Sequence, residues 1–320
     1  MATRQSIADV GTLEKLYEHL GSMDMTAGWI PREKPILHAE PTTPFTPIQW
    51  RYSECEQALD AAGRLINTEL AERRNLVMRN PVPGNDIATT RTLVCAYQMI
   101  LPGEKARSHR HAPHAFRVIL DAKGAFSTVD GEKTLMETGD IVLTPGWSWH
   151  GHGHDGDQAA YWFDGLDVPL NHLLEPMFFE EHPDGFVEVD VLTENSPYRF
   201  TWESTQKALE TAKADEDGYF GPRILLDTPS MPTMNLYVHR WESGFDTRRQ
   251  RSASNNVFLV MQGSGTSTID GDVFHWHRGD TIAAPCWSWI EHQAAEDSFM
   301  FCMTDEPLMR FAKYYRFEGS

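Results

Sequence analysis

Short apolar runs punctuated by Gly, Pro and Asp dominate two stretches of the chain, from about Thr89 to Pro169 and again over roughly 223–306. Each carries hairpin signals, Asp130-Gly131 and Gly139-Asp140 in the first, Asp270-Gly271 and Gly279-Asp280 in the second, which is how the strands of a small antiparallel barrel read. The remaining segments follow a different period. Leu13, Leu16, Tyr17 and Leu20 recur at helical spacing, and a second helix is expected over about 54–65. The prolines between those two patterns exclude regular helix there. After the first barrel a helical linker is expected, with one helix beginning near His172 and another over 202–216, and Asp305, Glu306 and Pro307 begin a last short helix. The predicted organisation is mainly β: an N-terminal helical and loop arm (1–85), a first barrel (86–168), a helical linker (169–222), a second barrel (223–306) and a C-terminal helix (307–320).

The two barrels are copies. Residues 129–152 align without a gap on 269–292 at a constant offset of 140, an internal duplication. His109 and His111 lie one residue apart on a predicted strand and therefore project to one face, and His150, beyond a hairpin, can complete a tripod on a metal. The same offset places Arg249, Arg251 and Ile290 at those positions in the second copy, none of which can bind a divalent cation. One metal site, in the first barrel, is expected.

Composition narrows the partners. The 28 Lys and Arg against 46 Asp and Glu give a net charge of -18, which argues against nucleic acid and anionic membrane, and an acidic ligand would need a local arginine cluster. Four scattered cysteines without CxxC spacing disfavour a zinc knuckle or disulfide scaffold. With no apolar run long enough to span a bilayer and a polar N-terminus, a cytoplasmic protein is expected.

Gly103 followed by His109 and His111, then Gly139, Pro145 and His150, resemble the two motifs of cupins, which implies a bicupin fold. The carboxylate ligand common in cupins is missing, since the chain reads Ala112-Pro113-His114-Ala115-Phe116. Three neutral imidazoles leave a divalent ion its full charge and favour a chelating anion, while nitrogen ligands alone also admit Zn, Mn, Cu or Ni. The run Glu72-Arg73-Arg74, Asn80-Pro81, Gln98, Leu101-Pro102-Gly103-Glu104, Phe116-Arg117, Thr144-Pro145, Trp149-His150-Gly151-His152-Gly153 and Phe163-Asp164-Gly165-Leu166-Asp167 narrows the match. Together these residues resemble the gentisate 1,2-dioxygenase family, which includes salicylate and 1-hydroxy-2-naphthoate dioxygenases.

That resemblance implies one Fe(II) per subunit, held by His109, His111 and His150, and cleavage of the aromatic ring between the carboxylated and the adjacent hydroxylated carbon. Gentisate, giving maleylpyruvate, leads the candidate substrates; salicylate, a 5-substituted salicylate such as 5-nitrosalicylate, and 1-hydroxy-2-naphthoate are the alternatives. It further implies that Arg117 holds the substrate carboxylate, that Arg73 and Gln98 line the pocket, and that His152 and Asp164 bind substrate and take part in catalysis. Arg74 would instead make an ion pair with Glu72 or Asp86. By resemblance the protein forms a homotetramer, with the arm near Trp29 reaching a neighbour. Trp147 and Trp149, mirrored by Trp287 and Trp289, read as packing residues. Three departures from the family, Gly151, Val94 and Asn75, bear on the ring substituents accepted. A non-catalytic binding bicupin and a metal-dependent isomerase are the rival functions.

Overall fold

Val129 and Glu132 face each other across a two-residue turn, Asp130-Gly131, with φ of 47° and 85°. Positive φ at both central positions makes the turn whose twist matches its strands, and Asp-Gly is suited to it. The second copy repeats it at Asp270 and Gly271, with φ of 52° and 93°. The computed structural model describes residues 7–31, 36–71 and 73–320. These fall into two units, one up to Pro41 and one from Thr42 onward. In the N-terminal unit the helix Leu13–Gly21 is capped by Thr12, whose hydroxyl accepts the Lys15 N–H, and the Trp29 indole donates to the Tyr17 hydroxyl at 3.1 Å.

The large unit holds both barrels. The first comprises β1 (Val94–Ile100), β2 (Lys105–His111), β3 (Ala115–Asp121), β4 (Ala125–Val129), β5 (Glu132–Met136), β6 (Ile141–Thr144), β7 (His150–His154) and β8 (Ala160–Leu166). The second repeats the set as β9 (Asn235–Trp241), β10 (Gln250–Ser252), β11 (Asn256–Gln262), β12 (Ser264–Ile269), β13 (Asp272–His277), β14 (Thr281–Ala284), β15 (Ile290–Ala294) and β16 (Ser298–Thr304). In the first, β6-β3-β8-β1 form one sheet, edged by Arg199–Phe200 and Arg74–Val77, while β2-β7-β4-β5 form the other, edged by Phe179–Glu181. The second follows the same order, its edges being Ile48–Trp50 and Arg223–Leu225 on one sheet and Phe317–Gly319 on the other. Edge strands of two to four residues carry no alternation to read, so those at Ile48–Trp50 and Arg74–Val77 fall within what the sequence shows only as helix and loop.

Every residue of β1 is buried because its sheet is covered on both faces. Cys95, Tyr97 and Met99, with Phe116 and Phe163, meet Leu259, Phe301 and Met303 of the second barrel in one core. Tyr97 donates its hydroxyl to the Gly279 carbonyl at 2.6 Å across this junction. The alternate positions, Gln98, Arg117 and Asp164, are left to the interior of the first barrel.

The duplication extends beyond the hairpins, because 160–182 align on 298–320 at an offset of 138. Asp167 and Asp305 each precede a short helix with proline in its first turn, Val168–Leu174 and Glu306–Phe311. Each carboxylate accepts a threonine hydroxyl of the other barrel, Thr233 to Asp167 at 2.7 Å and Thr92 to Asp305 at 2.6 Å. Asp305 also accepts the backbone and side-chain N–H of Asn255 at 2.7 and 2.8 Å. Asp305→Ala strands these buried donors and is expected to lower stability by about 1–3 kcal/mol, read as a reduced urea midpoint with unchanged slope.

The linker departs from its expected helices. Helix Val168–Leu174 stops at Glu175, whose φ of 71° and following Pro176 end it, and Phe179–Glu181 then pairs with β2. Helix Trp202–Glu210 ends six residues before the expected boundary. There Asp215 draws the N–H groups of Tyr219, Phe220 and Gly221 (2.6–2.9 Å) into a turn that competes with further helix.

Candidate metal and substrate site

His109 on β2 lies directly across from His150 on β7, and His111 follows on the same face. Each imidazole is anchored by its own chain two residues away. Nδ1 of His109, His111 and His150 lies 3.1, 2.8 and 2.9 Å from the carbonyls of Arg107, Pro113 and Ser148. A carbonyl only accepts, so the proton resides on Nδ1 and Nε2 is the nitrogen left to face a metal. The available ligand atoms lie within 4.8 Å of one another, and Nε2 of His150 is buried without a hydrogen-bond partner. Burial, more than the neighbouring charges, pushes His111 down to about 4 and His150 well below its ordinary range, so the rings stay in the neutral form a metal requires. The donor set fits a divalent transition metal with three nitrogen ligands.

Behind the tripod sits a buried polar group. Arg117 on β3 and Asp164 on β8 are direct cross-strand partners. Arg117 Nε approaches Asp164 Oδ1 at 3.3 Å without hydrogen-bond alignment, while its Nη1 donates to Thr144 Oγ1 at 2.6 Å. Gln98 on β1 donates to the other oxygen of Asp164. Burial lowers Arg117 to about 10, which still leaves it a cation. The same burial raises Asp164, opposed by Arg117 and then Arg73. Arg73 also acts electrostatically on His111 and His152. Two arginines against one carboxylate make the interior of the first barrel locally positive in an acidic protein.

His152 shares the face of His150, is 1% exposed, and has neither ring nitrogen bonded. Thr144 carries a role the sequence hides, since it pairs with Ala115, two residues before Arg117 on the same face, and only that register brings its hydroxyl to the guanidinium. His114 accepts the Gly146 N–H on Nδ1 and belongs to the turn. Arg74 pairs with Glu104 and donates to the Ile66 carbonyl, not to Asp86; Glu72 lies outside the described residues. Among the three departures, Gly151 points away from the histidines. A Cβ there would stand 2.7 Å from Ser108 Oγ and 3.2 Å from Phe186, so its smallness serves the packing of the linker and not the pocket. Val94 lies on the Gln98 face of β1, and exposed Asn75 faces Gln98 across the edge.

Trp147 and Trp149 clamp Arg110, at 4.4 and 4.5 Å, and Arg110 pairs with Glu180. Trp287 and Trp289 clamp Arg251, which pairs with Glu318, in the same way. Arg251 therefore corresponds to Arg110, an offset of 141 on this strand, and Gln250, paired with Ile290, takes the place of His109. The counterparts of the three histidines are Gln250, Ser252 and Ile290, correcting the sequence alignment by one residue; the second barrel still has no imidazole at any of them. His239 and His292 inside it are driven by burial to about 3. Between there and 6.5 the unfolded chain binds more protons. Stability held above pH 6.5 is thus expected to fall as pH drops toward 3, by up to about 1.4 kcal/mol per unit for each histidine, measurable by denaturant titration.

Comparison with known proteins bears on this geometry. A family model described as Cupin domain matches residues 96–168. Gentisate 1,2 dioxygenase 1 of Aquipseudomonas alcaligenes is 32% identical, over 95% of this chain and 95% of its own. The 5-aminosalicylate 1,2-dioxygenase of a Comamonas species is 31% identical, over 95% and 89%. The crystal structure of a salicylate 1,2-dioxygenase from Pseudaminobacter salicylatoxidans superposes with a TM-score of 0.87 at 26% identity, covering 97% of this chain and 99% of that one.

Proposed function

Since the chain belongs to the gentisate 1,2-dioxygenase family of bicupins, we propose that its first barrel opens a 2-hydroxybenzoate-type acid at an Fe(II) centre, with gentisate the leading substrate. It is an aromatic ring-cleaving dioxygenase. The observation that carries the site assignment is the tripod of anchored imidazoles beside a buried arginine. His109, His111 and His150 would hold the iron, which when bound supplies the electron path between ring and dioxygen.

The surrounding residues act on the substrate. Arg117 is held in place by Asp164 and Thr144, and its charge meets the substrate carboxylate with a bond worth roughly 1.5–3 kcal/mol. Gln98 fixes Asp164 from the other side, and Arg73 adds a second positive charge. His152, neutral and with both ring nitrogens unbonded, donates to the substrate 2-oxygen and holds a proton there. Cleavage falls between the carboxyl-bearing and hydroxyl-bearing carbons, and both atoms of O2 end in the product, maleylpyruvate in the case of gentisate. The small Val94 leaves room for a ring substituent, which favours 5-substituted salicylates or 1-hydroxy-2-naphthoate as the alternative substrates.

Among the described residues all four cysteines are free and no helix is long and apolar enough to cross a membrane, which supports a cytoplasmic setting. Exposed Leu173, Leu174, Phe178 and Phe179 support assembly, a homotetramer by kinship. Oxygen uptake by Fe(II)-loaded protein, offered gentisate, salicylate, 5-substituted salicylates and 1-hydroxy-2-naphthoate beside a zinc-loaded control, is expected to be iron-dependent with at least one acid. Full iron occupancy with no uptake would favour a binding or isomerase role.

A further inference from the structure

The barrel without metal ligands still encloses a cavity. It measures about 480 Å³ with the open space at its mouth included, and about 30 Å³ is clear for water-sized groups. One water needs roughly 10–15 Å³ on that measure, so the clear space suits the head of a small molecule. A barrel retained for packing alone would fill this place with apolar side chains, as the adjoining cluster around Trp276, Ile282 and Met300 does.

Arg223 enters the cavity from the edge strand, opposite His239. Its guanidinium lies 3.7 Å from the centre of the Phe220 ring and 4.3 Å from that of Tyr237. These rings fix the plane of the fork, yet its N–H groups have no protein acceptor among the described residues. Glu306, which also lines the cavity, is engaged by Arg310 and by the Tyr237 hydroxyl. The uncompensated charge is therefore positive.

Neutral donors stand beside it. Ser267 Oγ accepts the Trp276 indole N–H at 3.0 Å and lies 2.7 Å from His292 Nδ1. With the indole proton accepted, its own proton is available to Nδ1, and in that tautomer the His292 proton sits on Nε2, a nitrogen with no protein partner among the described residues. Ser252 and Ser254 share one proton across 2.8 Å, so the other remains free to donate. A fixed guanidinium with N–H and O–H donors, in so small a space, matches a carboxylate and offers too little charge for a phosphate dianion.

We infer that the second barrel binds a small monocarboxylate, held by Arg223 with His292, Ser252 and Ser254 as neutral donors. The test is calorimetric titration of the zinc-loaded full chain with acetate, pyruvate and benzoate, in wild type, Arg223→Met and Arg223→Lys. Wild type is expected to bind two equivalents of acetate or pyruvate per chain but one of benzoate, which is too large for the second barrel. Arg223→Met should weaken one acetate equivalent at least tenfold while iron content and ring cleavage by the iron form stay within twofold. Arg223→Lys, which keeps charge but loses the fork, should bind with intermediate strength, and it decides the matter if the methionine variant does not fold. A single acetate equivalent in wild type, or a second one indifferent to both substitutions, overturns the assignment.

Discussion

His111→Ala is expected to yield a folded protein without stoichiometric metal, whose iron-dependent oxygen uptake falls at least about a thousandfold, consistent with losing several kcal/mol of transition-state stabilisation. His111 is the most solvent-accessible of the three imidazoles, and its Nδ1 anchor is a single carbonyl. Its removal opens the tripod without emptying the core. Metal analysis, an oxygen electrode and thermal melting check the three parts of the expectation together. His114→Ala, which removes only the acceptor for the Gly146 N–H, should keep its metal. A His111→Ala protein that turns over normally without iron would refute the site.

Arg117→Ala should damage both fold and function. It leaves the Asp164 carboxyl without its cross-strand cation in a barrel interior where both residues are almost wholly buried, a change that costs about 3–5 kcal/mol. The iron is expected to stay, because no ligand depends on Arg117, whereas the substrate concentration needed for turnover rises. The double change Arg117→Ala with Asp164→Ala separates the two effects. Stability should recover in large part, since neither member of the buried pair remains, and substrate binding should not. If both recover together, Arg117 acts only through the fold.

Much of the metal centre was legible because it rests on chemistry and period. Imidazoles one residue apart on a strand must share a face, and no other local structure gives His109 and His111 that relation. Anchoring carbonyls leave no mark, as backbone at Arg107, Pro113 and Ser148 looks like any other. Arg74 was misplaced for a related reason: its partner Glu104 is 30 residues away and depends on how the edge strand lies. The one-residue slip between the copies lies outside the gapless block, where clamped Arg110 and Arg251 reveal it only through their tryptophans. Conversely, Asp167 and Asp305 with the prolines that follow could have been found, since they recur at a constant offset once the search extends past the last hairpin.

The short strand Ile48–Trp50 pairs with Thr281–Ala283, about 230 residues further along the chain. At 5–20 residues per second of synthesis, that partner emerges on the order of ten to fifty seconds later. During translation the first barrel therefore waits with its broad inter-barrel face uncovered, a state that invites chaperones and aggregation. Expressed alone, the metal-bearing half of this chain should behave as an intermediate in biogenesis and not as a smaller enzyme.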